Sequence, residues 1–223
     1  MGKKKLKRWE ELKTIGRVFQ PLLTYYSDDW EGKGYWREKV FHNVHPVIVE
    51  AGCGKGEYTI EMARCYPDKN FIGVDIKGAR LWRGATRMQE LKLTNVAFLR
   101  IRLELIEKCF APDEVDEIWL TFPDPQPKKS RENRRLTAPA MLSRFRNILK
   151  NGGLLHLKTD NLPLMHYTLD VLNQQPGKLL VYTFDVDTFP GMDQRLGIVT
   201  TYEKMYRREG KKIAYLCFQF QKE

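Results

Sequence analysis

Three carboxylates and one glycine turn stand where chemistry could be done. The run Val47-Ile48-Val49-Glu50-Ala51-Gly52-Cys53-Gly54-Lys55-Gly56 reads as a strand ending in an acid and a tight turn. Tyr58, Ile60, Met62, Ala63 and Tyr66 then fit a mostly apolar helix. Glycines let the backbone approach a ligand closely, and the helix N-terminus offers unpaired N–H groups. The next strand reaches Asp75, 21 residues after Gly54, the spacing of an acid that grips ribose hydroxyls. A dinucleotide fingerprint would need glycine where the chain has Glu57, and Glu50 sits badly against a pyrophosphate. The acid suits a ligand with cationic groups, such as the amino and sulfonium groups of S-adenosylmethionine. Glu50, Gly52, Gly54 and Asp75 are therefore candidate cofactor residues.

A second centre lies at Phe122-Pro123-Asp124-Pro125-Gln126-Pro127, directly after the strand 117–122. Prolines at alternate positions forbid helix and hold the backbone extended. Open α/β sheets keep their chemistry at strand C-terminal ends, which makes Asp124 the candidate catalytic acid. Lys128, Lys129, Arg131, Arg134 and Arg135 follow in a run without an apolar residue, a surface loop suited to clamping phosphates. Thr200-Thr201-Tyr202-Glu203 reads locally as a capping box opening a helix to about 209.

The elements that must hold these residues alternate between strand and helix. Strands are expected near 46–51, 70–76, 96–101, 117–122, 154–159, 179–186 and 213–221, and helices near 56–66, 78–91, 104–109, 138–149, 163–174 and 200–209. That is an α/β, Rossmann-like fold: a mostly parallel sheet of seven strands with helices on both faces. Gly152-Gly153 reads as a helix stop, and His156 and His166 as ordinary strand and helix residues. Residues 1–45 form a lead-in to a domain over 46–223. It opens with a basic arm (Lys3, Lys4, Lys5, Lys7, Arg8, Lys13), expected to be flexible and to rest on phosphates. Residues 14–45 mix aromatics with glycines and give no secondary structure.

Composition narrows the class. The 223 residues suffice for one α/β domain, and a net charge of +10 favours a polyanionic partner, nucleic acid first. No apolar run approaches a membrane span or a signal peptide, and Leu6 breaks a myristoylation pattern. Cys53, Cys65, Cys109 and Cys217 have no zinc-like spacing, and His42 and His45 lack co-ligands. The expectation is a cytoplasmic protein with reduced thiols, no metal, no membrane and no obligate protein partner.

Taken in order, Glu50 to Gly56, Gly73-Val74-Asp75, Phe122-Pro123-Asp124-Pro125, Arg134-Arg135-Leu136-Thr137, Lys158-Thr159-Asp160 and Thr200 to Glu203 resemble the bacterial tRNA (guanine-N7)-methyltransferases. This is a class I adenosylmethionine-dependent family, and the match covers roughly 46–210. The resemblance implies S-adenosylmethionine as cofactor and methylation of N7 of guanine 46 in the tRNA variable loop. It implies that Glu50, Asp75 and Asp124 line the cofactor and catalytic site. Lys128, Asp160, Thr200, Thr201, Tyr202 and Glu203 would face the substrate, and the loop carrying Lys129, Arg131, Arg134 and Arg135 would meet RNA. Two positions depart from the family pattern. Gln126 stands where the family usually has tryptophan, and Arg102 where it usually has an acid beside the adenine, with Glu104 two residues on. Two other readings stay open: a methyltransferase of another RNA site and a non-enzymatic RNA-binding module. The N6-adenine enzymes would need a different motif after the fourth strand, with a second proline and an aromatic following the acid.

Overall fold

The computed structural model describes residues 3–189 and 193–222, with side chains from residue 6 onward. Eight strands form one sheet in the order β1-β4-β3-β2-β5-β6-β8-β7. They are β1 Val18–Phe19, β2 Val47–Ala51, β3 Asn70–Val74, β4 Val96–Leu99, β5 Val115–Thr121, β6 Leu149–Thr159, β7 Gly177–Thr183 and β8 Ala214–Phe220. The first six run parallel, and β8 pairs antiparallel with both β6 and β7. Among the described residues six α-helices accompany them: α1 Lys3–Thr14, α2 Glu57–Cys65, α3 Gly78–Glu90, α4 Pro139–Ile148, α5 Leu162–Leu172 and α6 Thr201–Arg208.

The parallel strands β2, β3 and β4 read as unbroken buried runs, as strands covered on both faces must. From β2 the chain builds outward through β3 to β4, then returns to place β5 on the other side of β2. The crevice at the carboxyl ends of β2 and β5 is thus the topological switch point, where such sheets bind ligands.

Close packing of α3 on the glycine turn depends on the Phe98 ring. A Cβ on Gly56, Gly73 or Gly84 would come within 2.6–2.7 Å of a Phe98 ring atom. Three glycines from three elements thus share the space that one aromatic ring fills. Gly84 lies inside a helix, where glycine costs about 1 kcal/mol in propensity, and this close approach accounts for it.

Three expectations change. The eighth strand, β1, is a two-residue edge hydrogen-bonded beside β4 (Phe98 N to Arg17 O, 2.9 Å), too short to show a period. Within residues 14–45, a stretch that gives no secondary structure in the sequence, several aromatic side chains pack into the core. Trp36 is fully buried, stacks on Phe110 at 5.2 Å, and donates its indole N–H to Cys109 O at 2.9 Å. Glu114 accepts from the backbone N–H groups of Gly34, Trp36 and Ala111, pinning the entry to a short π-helical turn, Trp36–Phe41. The Gly152-Gly153 pair lies within β6, which starts directly after Ile148 and opens with a register shift opposite Val115 and Glu117.

The basic segment 1–13 is also not a free arm over its described part. Helix α1 packs on α3, with Leu12 fully buried and Ile15 nearly so. Arg8 lies over the Trp82 ring at 4.9 Å, and Arg100 over Trp9 at 5.0 Å. The apolar stripe goes inward, and Lys7 and Lys13 stay at the surface. Leu12→Ala is expected to cost about 2–4 kcal/mol in urea unfolding, against less than about 0.5 for the half-exposed Leu6→Ala. A flexible arm would show no difference between the two.

Candidate active site

A cleft of about 700 Å³ opens at the switch point, lined by the glycine turn, Asp75, the 101–104 segment, the Pro-Asp-Pro turn and the start of α6. Glu50 stands at its floor, only 2% exposed. One oxygen accepts from the backbone N–H (2.8 Å) and hydroxyl of Thr59 on α2, and the other from the Thr121 hydroxyl on β5. Burial pushes the Glu50 carboxyl up to about 7, against the pull of the Thr121 and Thr59 hydrogen bonds.

The turn itself is held by β3. Val74 O accepts from Gly52 N at 2.8 Å and Cys53 N at 3.1 Å, while Asp75 accepts from Gly54 N at 3.0 Å and Lys77 N at 2.7 Å. Gly52 and Gly54 adopt left-handed backbone (φ +82° and +58°). Nothing lies within 4 Å of where a Gly54 side chain would begin. The turn therefore leaves a cradle open to a ligand, with Asp75 beside it. Arg102 and Glu104 line the same side, their charged ends 3.7 Å apart.

The Pro-Asp-Pro turn faces this cradle across the cleft. Phe122 and Gln126, which bracket it, both have positive φ (+50° and +44°), an uncommon conformation for side-chain-bearing residues. It is tied down at both ends: Phe122 N donates to Lys158 O at 2.8 Å, and Gln126 N to Asp124 Oδ1 at 3.0 Å. The second bond fixes the direction of the exposed Asp124 carboxylate, which lines the cleft.

The basic run is a short 3₁₀ helix, Lys129–Arg134, rather than an irregular loop. Lys128, Lys129 and Arg131 are exposed, and Arg134 reaches the cleft. Arg135 differs. Its guanidinium donates to Pro125 O and Gln126 O (3.1 and 3.3 Å) and lies over the Tyr167 ring at 4.1 Å. It braces the Pro-Asp-Pro turn, so its charge is not presented to solvent as the sequence suggests.

Of the four residues Thr200 to Glu203, two line the cleft. Thr200 caps α6, its hydroxyl accepting from Glu203 N at 3.2 Å, and Tyr202 is exposed. Thr201 is held by Glu57, whose carboxylate accepts from its N–H (2.6 Å) and its hydroxyl (2.9 Å). Glu203 does not complete the capping box and does not reach the cleft. It is fully buried, 2.7 Å from Lys158 Nζ and paired with Arg207. Asp160 is likewise absent from the cleft lining and accepts from Lys211 at 2.9 Å.

Lys158 stands in one of the sequence motifs but is given no role there, although a lysine inside an apolar strand was the signal. Its ammonium donates to Leu196 O (2.8 Å) and Ile198 O (2.9 Å) as well as meeting Glu203. Burial holds its pKa below the usual lysine value, with Glu203 opposing. This one cation therefore ties the 193–199 segment and α6 to the sheet. Glu57, Thr59 and Thr121 carry no signal in one dimension, since their partners lie elsewhere in the chain. Among the described residues no cluster of three His, Cys, Asp or Glu could hold a metal ion, and no helix is long and apolar enough to cross a membrane.

A raised carboxyl pKa has a defined sign. Between about pH 4.5 and 7 the folded state binds the Glu50 proton more tightly than the unfolded state does, so this group's contribution to stability falls as pH rises. The Glu50→Gln variant should therefore gain stability relative to the parent protein across that window, with a constant difference above it. Urea midpoints at stepped pH read this out, and a difference that does not move with pH would contradict the assignment.

Comparison with known proteins agrees with the geometry. A family model described as a putative methyltransferase matches residues 44–216. The tRNA (guanine-N(7)-)-methyltransferase of Christiangramia forsetii is 47% identical over 98% of each chain. That of Cytophaga hutchinsonii is 43% identical over 99% of each, and that of Bacteroides thetaiotaomicron 42% identical over all of this chain and 88% of its own. Among solved structures, the 16S rRNA methyltransferase KamB superposes with a TM-score of 0.65 at 15% identity, covering 92% of this chain and 99% of its own. Geranyl diphosphate C-methyltransferase from Streptomyces coelicolor superposes at 0.54 with 16% identity, over 82% of this chain and 73% of its own. Their substrates have nothing in common, so these likenesses speak for the fold alone. On the cleft, the family model and relatives matched end to end, the chain belongs to the tRNA (guanine-N(7)-)-methyltransferase family of α/β methyltransferases.

Proposed function

We propose that this protein methylates N7 of guanine 46 in the tRNA variable loop, using S-adenosylmethionine, in the cytoplasm where tRNA is matured. The observation that carries the reading is that one cleft holds two facing halves. The buried Glu50, the glycine cradle and Asp75 form one; the braced Asp124 turn with its basic flank forms the other.

The residues present fit the cofactor. The cradle is open at Gly54, where nothing lies within 4 Å of a side chain's first atom, Asp75 stands beside it for ribose hydroxyls, and Glu50 provides negative charge below. Arg102 and Glu104 edge the same half, where the base of a nucleoside would lie. Bound there, S-adenosylmethionine supplies a methyl group on a cationic sulfur.

Guanine N7 carries an in-plane lone pair, so no general base is needed, and the protein's task is to aim N7 at the methyl carbon. Positive charge passes to the purine during transfer. The Asp124 carboxylate, fixed by the Gln126 N–H, stabilises that charge and accepts from guanine N–H groups. Lys128 offers a donor for O6, which adenine lacks. Acceptors for guanine N1–H and N2–H₂ are better sought at Asp124 and the Thr200 to Tyr202 edge than at the buried Glu203 or the lysine-bound Asp160.

Lys128, Lys129, Arg131 and Arg134 flank Asp124 and grip phosphates while the base is exposed to the cleft. Across the cleft Lys77 and Arg80 line its other rim. Two basic flanks on either side of a slot suit a folded RNA with one base turned inward.

Transfer from labelled S-adenosylmethionine to unmodified tRNA transcripts with guanine or adenine at position 46 tests the reading. Label at N7 of the guanine transcript alone is expected; label elsewhere moves the substrate, and no label with intact cofactor binding refutes it. Asp124→Asn should lower kcat by about 100-fold and leave cofactor affinity within about twofold. Neutralising Lys128, Lys129, Arg131 and Arg134 together should raise the tRNA KM by about tenfold or more without moving cofactor affinity. It should also flatten the log–log salt dependence of tRNA binding by about 0.9 for each phosphate no longer neutralised. Because Glu50 titrates near 7, cofactor affinity should rise as pH climbs through that value.

A further inference from the structure

Two aromatic rings on the substrate side of the cleft have no part in the mechanism above. Tyr206 lies one helical turn beyond Tyr202 on α6 and lines the cleft, as does Phe122 at the head of the Pro-Asp-Pro turn. Their ring centroids are 5.7 Å apart with the planes tilted by 40°, so together they form a continuous aromatic wall.

The wall is held from several directions. Phe122 is fixed in its positive-φ conformation and donates its N–H to Lys158 O. The Lys211 ammonium lies over the Tyr206 ring, 4.4 Å from its centroid, and is itself neutralised by Asp160 at 2.9 Å. Lys211 N also donates to Tyr206 O at 3.0 Å. This gives Asp160 a place in the site through Lys211 and Tyr206 rather than by touching substrate. A base turned out of its stack loses its neighbours' π surfaces, and enzymes that act on such bases replace them with aromatic faces. Gln126, next to Pro125, offers no such face.

We infer that Tyr206, abutting Phe122 and backed by the Lys211–Asp160 pair, is the stacking platform that holds the extruded target purine beside Asp124. The inference rests on the functional reading above and names the residue that positions its substrate. Tyr206 is a binding residue here: it moves no proton and makes no bond.

The test is a binding cycle without cofactor. Affinities of the wild type, Tyr206→Phe and Tyr206→Leu are measured for a tRNA transcript with guanine 46 and for one abasic at that position. The wild type should bind the guanine transcript more tightly. Tyr206→Leu should lose about tenfold on the guanine transcript and less than about twofold on the abasic one, while Tyr206→Phe keeps wild-type behaviour on both. Equal losses on both transcripts, or none on either, would overturn the platform, as would a Tyr206→Phe variant as weak as Tyr206→Leu. A wild type that cannot tell the two transcripts apart would instead overturn the functional reading, and this inference with it.

Discussion

The buried Glu50 carboxylate is the constraint around which the site is assembled. It joins the first turn of α2 to the end of β5 through Thr59 and Thr121, across the line where the sheet's connectivity reverses. A carboxylate taken from water is costly unless its oxygens find donors, and here hydroxyl and backbone groups supply them. Burial raises its pKa to about 7, so a cationic ligand arriving there draws the group into its charged form. The glycine turn above it and the Asp124 turn beside it inherit their positions from this junction.

A second junction ties the C-terminal part of the chain to the sheet. On β6, Lys158 uses its one ammonium to hold Leu196 O, Ile198 O and Glu203. Nearby, Glu117 is paired with Arg195 and lies 3.1 Å from His156 Nε2. Burial works to raise the Glu117 pKa, but His156 and Arg195 hold it well below the ordinary carboxylate range. Buried ion pairs contribute little net stability but are costly to break singly, because one partner is left charged and unpaired. Their effect here is geometric: segment 193–199 and α6 have one seat on the sheet, and the Thr200 to Tyr206 edge is carried with them.

Glu57 links the two junctions. It opens α2 directly after the glycine turn and caps α6 through Thr201. The ligand cradle and the helix bearing the substrate edge are thus joined by one side chain, which explains how two halves far apart in sequence form one cleft.

Much of this was legible in one dimension. The strand–turn–helix around Gly52 to Gly56, the acid-terminated strands, the rigid Pro-Asp-Pro turn and the α6 cap rest on local chemistry: periodicity, glycine freedom, proline restriction and capping. Those residues determined the fold class and placed Glu50, Asp75 and Asp124 at strand ends. Tertiary structure decided which charges remain available. Glu203, Asp160 and Arg135 look like site residues along the chain, yet each meets a partner that only folding brings near: Lys158, Lys211 and the Pro125–Gln126 carbonyls. It also made a packed helix of a segment that reads as a basic arm, because Leu12 is one apolar residue among lysines until α3 lies beneath it. Local sequence encodes backbone geometry, whereas the fate of a charge or an apolar side chain depends on contacts across the whole chain, which no local pattern records.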